Sequence, residues 1–538
     1  MTVLPSTPAE YVATTLTPTL TPALVALSRE RPADPVTWLA EYLQTHKPAP
    51  ATKEPALVPS LALPSAAALL DMVHSGKKSC VELVTERLAR IEAVNGTLNA
   101  CIEVLGEAAI RQALEVDDKV ATGRPLRRLE GLPIVVKCNI DVAGTLSTAA
   151  TPALAEWRPL KTAPCVEPLL AAGAIVIAKT NMSELAIGFR GSSVLHGLCK
   201  NPYSTEHNAG GSSTGTAVAV AAGIVPCGLG SDTAGSLRVP AACNGGVGMR
   251  PSKGRWSGTG VVPVTNLRDT PGPMGASVGD VALLDAVMAG ESTVAMPATL
   301  RGSKVVVAED WIAEGPPLAA ETRRGLDLAI AAFERVGAAV VSEAGIASVK
   351  SVAKATWEPP LPVPIEDPYA DLQAYLDYHG RELPEAIRTV EAVGEKFGGG
   401  TPYGGFLQGF FCTSAQVKSG LSDEEYAAKL AERDAGIAAT EEAYRTFFRR
   451  SGASCVLMPV FPGAPTVLDD PKAGLNAMVN EGAYTAHLCT VGGAPAIVLP
   501  TPVKFASCGV PVSVMLLGTD DRELIGLALA LERSLAHG

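Results

Sequence analysis

Residues 207–240 read HNAGGSSTGTAVAVAAGIVPCGLGSDTAGSLRVP, and they hold the densest runs of Gly, Ser and Thr in the chain. Two such runs, residues 207–216 and 230–240, flank an apolar stretch that contains Pro226. That stretch is too short for a membrane span, which needs ~20 residues, and it predicts a buried helix that continues into a loop. The simplest interpretation of the two runs is a glycine-rich turn that packs a helix against a sheet.

Two functional interpretations compete with this structural one. Residues 210–215 have the glycine spacing of a phosphate-binding P-loop, but the lysine that would grip the phosphates is absent. Residues 211–215 match the G-x-S-x-G nucleophile elbow around Ser213, and His487 and His537 follow in the proper chain order. No strand pattern precedes this elbow, although a nucleophile elbow requires one. The runs by themselves leave all three interpretations open.

A lysine, Lys137, closes the apolar run of residues 131–136, which reads GLPIVV. Burial disfavours the charged ammonium and can lower its pKa by several units, so such a lysine can act as a base. A lysine at the end of a strand can also reach water or an acidic partner. Taken alone, Lys137 therefore also fits a structural ion pair.

Short apolar runs alternate with helical patterns along most of the chain. These runs are Ile134–Val136, Ile175–Ile177, Val305–Val307, Val340–Val341, Val456–Met458, Ile497–Leu499 and Val512–Leu517. Strands of this kind, separated by helices, predict an α/β fold in which helices cover both faces of a sheet.

Two capping boxes mark helices in this pattern. Ser79-x-x-Glu82 predicts a helix over residues 80–94, and Asn95-Gly96 is typical of its C-terminal cap. Ser422-x-x-Glu425 opens a second helix within residues 350–450, where charged, helical sequence interrupts the alternation. We expect residues 350–450 to form a helical insertion.

The composition excludes several classes of protein. Lys and Arg number 44 against 55 Asp and Glu, a net charge of −11, which argues against a general nucleic-acid or anionic-membrane surface. The 11 cysteines are scattered without a C-x-x-C pair, which favours a reducing compartment over a disulfide framework. The seven histidines show no metal-ligand spacing, so we expect neither a metal nor a cofactor. No secretory signal is expected at the N-terminus.

Together the motifs resemble those of the amidase signature family, whose members hydrolyse carboxamide C–N bonds. The matching segments are Gly131 to Lys137 for G-x-P-x-x-x-K, Gly210 to Thr216 for G-G-S-S-G-G-S, and Gly230 to Pro240 for G-S/T-D-x-G-G-S-x-R-x-P. The resemblance covers roughly residues 65–535 and implies a mixed, twisted central sheet. The segment Arg268 to Met274 is similar to the version in indoleacetamide and mandelamide hydrolases, which favours a small aryl or aliphatic primary amide.

This resemblance implies a Ser-Ser-Lys triad. Ser236 would be the nucleophile, Ser212 the bridging serine on a cis peptide, and Lys137 the neutral base. The backbone N–H groups of Thr233, Ala234, Gly235 and Ser236 would form the oxyanion hole.

Three departures from the family pattern stand out. Cys138 follows the lysine where Asp is usual, Ala234 replaces a common Gly, and Thr214 and Thr216 replace a Gly and a Ser or Glu. None of them is a triad residue. We expect Cys138 to be inert packing, because no histidine lies near it in the sequence.

The first 47 residues form a separate pattern of two short helices. Leu16, Leu20, Leu24 and Leu27 recur at helical spacing, whereas Pro18 and Pro22 place the start of that helix near residue 17 or 21. In the second helix Asp34 is the predicted N-cap, with Pro35 at the first helical position. The apolar face of this helix consists of Val36, Leu39, Tyr42 and Leu43. About 45 residues are too few to bury two apolar faces alone, so self-association is expected.

Residues 31–43 are similar to the dumpy-thirty dimerisation motif. Such hairpins pair into a four-helix bundle whose groove accepts an amphipathic helix of an anchoring protein. The resemblance therefore implies a homodimer through residues 1–47, a Pro-rich linker at 48–64 and an amidase domain at 65–538. It also implies placement in the cytoplasm, with the ciliary axoneme or a chromatin complex as candidate assemblies.

Two hypotheses follow for function. The first is a working amidase with a small-molecule amide substrate, tethered by the docking hairpin. The alternative is a structural subunit of a large eukaryotic assembly, ciliary or chromatin-bound, that retains an amidase fold. The presence of all three triad residues favours the first.

Overall fold

A computed structural model describes residues 33–45, 57–58, 63–293, 297–343, 345–347, 349, 368–394, 421–468 and 493–537. The α-helices of these ranges are α1 Pro35–Thr45, α2 Ala66–His74, α3 Cys80–Leu98, α4 Gly106–Ala121, α5 Glu167–Ala171, α6 Thr214–Ala221, α7 Arg238–Cys243, α8 Val278–Met288, α9 Glu309–Glu314, α10 Ala320–Arg335, α11 Pro368–His379, α12 Val390–Gly394, α13 Asp423–Ser451 and α14 Asp521–Ala536. The strands are β1 Cys101–Val104, β2 Pro133–Lys137, β3 Ile175–Thr180, β4 Ser192–Ser193, β5 Gly197–Leu198, β6 Cys227–Asp232, β7 Val247–Arg250, β8 Thr270–Gly275, β9 Lys304–Val307, β10 Ala339–Ser342, β11 Cys455–Pro459, β12 Ala496–Lys504 and β13 Pro511–Leu517.

Eleven of these strands form one mixed sheet in the order β1-β3-β2-β6-β8-β7-β12-β13-β11-β9-β10. Strand β2 runs parallel to both of its neighbours, β3 and β6. From β6 to β11 the neighbouring pairs are antiparallel. Strand β6 therefore lies where the parallel part of the sheet meets the antiparallel part.

Helices cover both faces of the sheet, as the sequence predicted. In β2 the side chain of Val135 packs in a core with α3, α4 and α6, whereas Ile134 and Val136 pack with α2, α5 and α8 on the other face. In the second half of the sheet α10 and α14 cover one face, and α9 and α13 cover the other. The α/β prediction is confirmed, because side chains alternate between faces along a strand and each face finds its own apolar layer.

All seven predicted strands are present, but the apolar runs missed β1, β6, β7 and β8 of the central sheet. Strands β6 and β8 are rich in Gly and Pro, which are usually depleted in strands. Their glycines are required by close packing: a Cβ on Gly228 would lie 2.5 Å from the carbonyl oxygen of Val135, and one on Gly272 would lie 2.5 Å from that of Met249. The loop predicted after the buried helix α6 is therefore wrong over residues 227–230, which belong to β6.

Helix α3 begins as predicted and ends later. The Ser79 hydroxyl accepts a hydrogen bond from the Glu82 N–H at 3.0 Å. The predicted cap at Asn95 and Gly96 is wrong, since the helix continues to Leu98 and the left-handed capping residue is Asn99. The Asn95 side chain instead bonds both backbone groups of Cys101, which ties the helix to β1.

Helix α1 begins at Pro35 as predicted. Oδ1 of Asp34 accepts hydrogen bonds from the N–H groups of Val36 and Thr37 at 3.2 and 3.1 Å, which is the geometry of an N-cap. The other predicted helix of the hairpin, with Leu16, Leu20, Leu24 and Leu27, lies outside the described residues, as do the Leu43 side chain and most of the linker at 48–64.

Helices α11, α12 and α13 lie in the segment for which an insertion was predicted. The Ser422–Glu425 capping box at the start of α13 is present in both directions. The remainder of residues 350–450 lies outside the described ranges.

All nine cysteines in the described ranges are free and buried. They occur in both halves of the sheet, for example Cys227 in β6 and Cys455 in β11. Burial raises the pKa of these two thiols well above the ordinary value. No helix in the same ranges combines the length and the apolarity that a bilayer crossing requires.

We expect Gly228→Ala to lower the free energy of unfolding by ~1–3 kcal/mol, because its Cβ would overlap the Val135 carbonyl in the neighbouring strand. Gly96→Ala is the matched control, since a Cβ there meets nothing within 4 Å and Ala is the better helix former, which predicts a gain of up to about 1 kcal/mol. Urea unfolding of both variants measures the difference. Equal stability of the two would contradict the role assigned to Gly228.

Candidate functional site

The site forms around Lys137, the last residue of β2. Its side chain is fully buried between β3 and β6. Nζ donates to Oγ of Ser212 at 2.8 Å and to Oγ of Ser231 at 2.9 Å. Both partners are hydroxyls, and no carboxylate of the described residues is in ion-pair contact with this amine. Lys137 is therefore not the structural ion-pair partner that the sequence left open.

Burial without a partner charge shifts the ionisation of this lysine. Desolvation lowers the pKa of Lys137 to about 7, although the groups of Cys138, Asp269 and Asp232 act in the opposite direction. Near neutral pH a large fraction of the amine is then uncharged. An uncharged amine offers a lone pair that can accept the Ser212 proton across the 2.8 Å contact.

Ser212 and Ser213 lie in the turn that leads into α6. The peptide bond between Gly211 and Ser212 is cis. A Cβ on Gly211 would lie 2.7 Å from Oγ of Ser183, so this turn accommodates only glycine there. The Ser213 hydroxyl points away from Lys137, donating to the carbonyl of Ser231 at 3.0 Å and accepting from its N–H at 3.2 Å. Ser213 thus joins the turn to β6.

Ser236 lies in the turn between β6 and α7, and it is only 4% exposed. Its carbonyl accepts a hydrogen bond from the Ser213 N–H at 3.2 Å, which brings this turn against the turn of Ser212. The hydroxyl of Ser236 makes no hydrogen bond within the described residues. The structure therefore brings Lys137 and Ser212 into direct contact and leaves Ser236 adjacent, with its oxygen available.

The turn of Ser236 is held by the carboxylate of Asp232. Oδ1 accepts from the N–H of Gly235 at 2.9 Å, and Oδ2 accepts from the N–H of Leu237 at 3.1 Å. Arg238 and Arg250 each donate to the same carboxylate, and both ion pairs are fully buried. Burial alone would raise the pKa of Asp232, but the two guanidinium groups hold it well below the ordinary value.

The hydrogen bond from Gly235 corrects the predicted oxyanion donors. Because the Gly235 N–H is already bound to Asp232, it is not available to a ligand in this structure. The N–H groups of Thr233, Ala234 and Ser236 take part in no hydrogen bond within the described part of the chain. These three remain as donors that could bind an anionic oxygen.

Sequence reasoning missed three residues of the site. Ser231 accepts from Lys137, and Asn139 donates to the same Ser231 hydroxyl at 3.2 Å. Asp269 accepts from the Thr233 hydroxyl at 2.5 Å and so braces the turn from the other side. Ser231 lies inside the quoted motif, but only the parallel register of β2 and β6 brings it to the lysine.

The thiol of Cys138 is buried and accepts a hydrogen bond from Thr148 at 3.6 Å. Burial raises the pKa of Cys138, so its reactive thiolate is disfavoured. This agrees with the interpretation of Cys138 as inert packing.

A cavity of about 280 Å³ adjoins this cluster. Ser231, Asp269 and Lys253 line it, so the cavity reaches the group that contacts Lys137. A second cavity of about 260 Å³ shares five lining residues with the first and extends to α11. The shared residues are Gly258, Thr259, Val261, Pro263 and Asn266.

Comparison with known proteins identifies relatives of this arrangement. The family model described as Amidase matches residues 82–524, and the Dpy-30 motif matches residues 8–48. The mandelamide hydrolase of Pseudomonas putida is 29% identical over 502 residues, covering 89% of this chain and 92% of that protein. The glutamyl-tRNA(Gln) amidotransferase of a Synechococcus strain has a component that is 31% identical, covering 86% of this chain and 94% of that one.

A similar fold occurs in a solved structure. The native peptide amidase from Stenotrophomonas maltophilia superposes with a TM-score of 0.66 at 27% identity, covering 88% of this chain and 97% of that one.

We expect the amine of Lys137 to titrate with a pKa of about 7 because it is desolvated. The amine should be mostly charged about one pH unit below that value and mostly neutral about one unit above it. Carbon-13 NMR of the lysine ε-carbons measures the titration, and loss of the signal in Lys137→Arg assigns it. A midpoint near the ordinary lysine value of 10.5 would contradict the neutral amine.

Proposed function

This chain belongs to the amidase family of hydrolases that act on amide C–N bonds, and we propose that it cleaves small carboxamides through Ser236, Ser212 and Lys137. The observation that carries this proposal is the buried Lys137 amine, 2.8 Å from Ser212 and unpaired with any carboxylate of the described residues. A neutral amine in that position supplies the base that two serine hydroxyls need.

In the first step Oγ of Ser236 attacks the carbonyl carbon of the substrate. A hydroxyl is a weak nucleophile, so its proton passes to Oγ of Ser212 as the Ser212 proton passes to Nζ of Lys137. Contact between the two serine hydroxyls forms when the substrate is bound, since the turns that carry them are already joined by the Ser213–Ser236 hydrogen bond.

The tetrahedral intermediate carries a negative oxygen. The N–H groups of Thr233, Ala234 and Ser236 are the available donors, and loss of one donor of such a hole typically costs ~10²–10³ in rate. Asp232 contributes by fixing the turn through Gly235 and Leu237 rather than by touching the substrate.

Breakdown of the intermediate reverses the proton path. Lys137 returns the proton through Ser212 to the substrate nitrogen, the C–N bond breaks, and ammonia or an amine leaves an ester on Ser236. A water molecule then attacks that ester and passes its proton along the same path. The carboxylic acid is released and both serine hydroxyls are restored.

The substrate class follows from the cavity and from the relatives. A small primary amide fits the 280 Å³ cavity, and mandelamide hydrolase, an enzyme named for an aryl amide, is among the relatives. The amidotransferase relatives are named for glutamyl-tRNA(Gln), and a role of that kind would not account for the Dpy-30 motif.

We expect Ser236→Ala to lower amide hydrolysis by at least about 10⁴-fold without unfolding the protein, because only one oxygen is removed. Ammonia release from a panel of amides measures the loss. A fluorophosphonate should label the parent at Ser236, as read by mass spectrometry of the labelled peptide.

Ser213→Ala is the matched control for this experiment. It should still be labelled at Ser236, because the Ser213 hydroxyl is bound to the Ser231 backbone. Labelling of the parent at Ser213 would instead support the nucleophile-elbow interpretation and reject Ser236.

A second function is proposed for the N-terminal segment, for which the Dpy-30 match over residues 8–48 is the support. We infer that residues 1–47 pair two chains and bind an amphipathic helix of an anchoring protein. The Val36 side chain on α1 is 77% exposed, so an apolar group there lacks cover. Burial of a large apolar side chain stabilises by ~1.5–3 kcal/mol, which favours pairing.

In this proposal residues 48–64 are the linker and residues 65–538 are the amidase domain, with an insertion at about 350–450. The protein would act in the cytoplasm, and a ciliary axoneme is the assembly we propose for it. The competing proposal, a structural subunit without turnover, predicts that no amide in the panel is hydrolysed.

We expect Leu39→Glu to convert a dimer into a monomer, because a carboxylate in the bundle has no partner. Ala40→Glu places the same charge on an exposed position of α1 and should leave the dimer intact. Light scattering measures both masses, and amide hydrolysis should be unchanged in each variant. A parent that is monomeric, or a Leu39→Glu variant that stays dimeric, would contradict the docking proposal.

A further inference from the structure

The second cavity, about 260 Å³ in volume, has a wall that the triad does not explain. Helix α11 contributes Asp371, Ala374, Tyr375 and Tyr378, which recur at the spacing of one helical face. The opposite wall is the segment of residues 258–266, which also lines the cavity next to Ser231. The two cavities are therefore neighbouring compartments, an inner one at the triad and an outer one at α11.

The polar groups of the outer compartment are largely satisfied within the protein. The Asp371 carboxylate accepts from the backbone N–H and from Nδ2 of Asn266, both at 2.7 Å. The Tyr375 hydroxyl donates to Asp141 and accepts from Nε1 of Trp157, both at 3.0 Å. These groups have little capacity left for a ligand, so the wall presents mainly ring surface and aliphatic carbon to the compartment.

The wall is also fixed in place by His379, the last residue of α11. Nε2 of His379 lies 2.8 Å from Oδ2 of Asp141, and both side chains are almost completely buried. The rings of Trp157, Tyr375 and Tyr378 meet the imidazole edge-on, with centroids 4.8–5.0 Å away. Asp141 belongs to the turn that follows Lys137, so α11 is attached directly to the catalytic strand.

We propose that the outer compartment is a subsite for an aromatic ring carried by the acyl part of the substrate, with the carboxamide in the inner compartment. This proposal rests on the amidase function above. The Tyr375 and Tyr378 rings supply flat apolar surface, and aromatic pairs gain from offset or edge-on contact. His379 and Asp141 are positioning residues, which hold α11 at the distance that a ring requires.

The subsite predicts a measurable preference among amides that share one reacting group. 4-Phenylbutyramide should bind at least about tenfold more tightly than butyramide, because its ring buries apolar area against α11. Binding is measured by calorimetry on Ser236→Ala, which holds ligand without turnover. Hydrolysis of butyramide by the parent is followed separately, so failure of the amidase function is recognised independently of the subsite.

Two variants test the wall itself. Ala374→Phe fills the outer compartment and should abolish the preference for 4-phenylbutyramide while leaving butyramide binding unchanged. Asp377→Phe adds the same ring at an exposed position of α11 that does not line the cavity, so the preference should survive. His379→Gln should raise the KM for the phenyl amide by at least about fivefold, with kcat and the KM for butyramide unchanged.

The opposite results would overturn the subsite. Equal binding of the two amides, or a preference that persists in Ala374→Phe, would mean that the ring lies elsewhere. A parallel loss of kcat on both amides in His379→Gln would assign this histidine to general stability instead of to positioning.

Discussion

The carboxylate of Asp232 joins the elements on which the site depends. It receives two backbone N–H groups of the Ser236 turn, a guanidinium from α7 and a guanidinium from β7. Arg250 also donates to the Asp232 carbonyl and to that of Arg268, which extends the network toward β8. Loss of one partner of such a buried pair typically costs ~3–5 kcal/mol, because a charge is left without compensation. The nucleophile turn is therefore rigid before any substrate is bound.

Two buried ionisable groups lie close together in this site, and their surroundings treat them in opposite ways. Asp232 stays charged because two guanidinium groups compensate its burial. Lys137 meets only hydroxyls, so burial lowers its pKa to about 7. A single acidic neighbour within hydrogen-bond reach would keep the lysine charged and remove its basicity. The substitution of the usual Asp by Cys138 leaves a neutral, buried thiol at that position.

Much of the fold could be predicted from the sequence, because apolar runs such as Val305–Val307 carry the ordinary signal of a buried strand. Strands β6 and β8 could not, since their glycines serve close backbone approach and have low strand propensity. In the site, motif spacing selected Lys137, Ser212 and Ser236, which lie on β2 and on two turns in mutual contact. It could not separate Ser231 from its neighbours, because the role of Ser231 follows from the register between β2 and β6. Nor could it find that Asp232 occupies the Gly235 N–H, which depends on where one side chain points.

The free cysteines have a consequence for how this protein opens. Their thiols lie in both halves of the sheet, as with Cys227 in β6 and Cys455 in β11, and each is sealed from solvent. A thiol reagent can reach such a group only when the surrounding layer separates, so the rate of modification at each position reports the local opening free energy. The chain thus carries its own set of internal probes. Their relative rates would reveal whether the parallel and antiparallel halves of the sheet unfold together or one after the other.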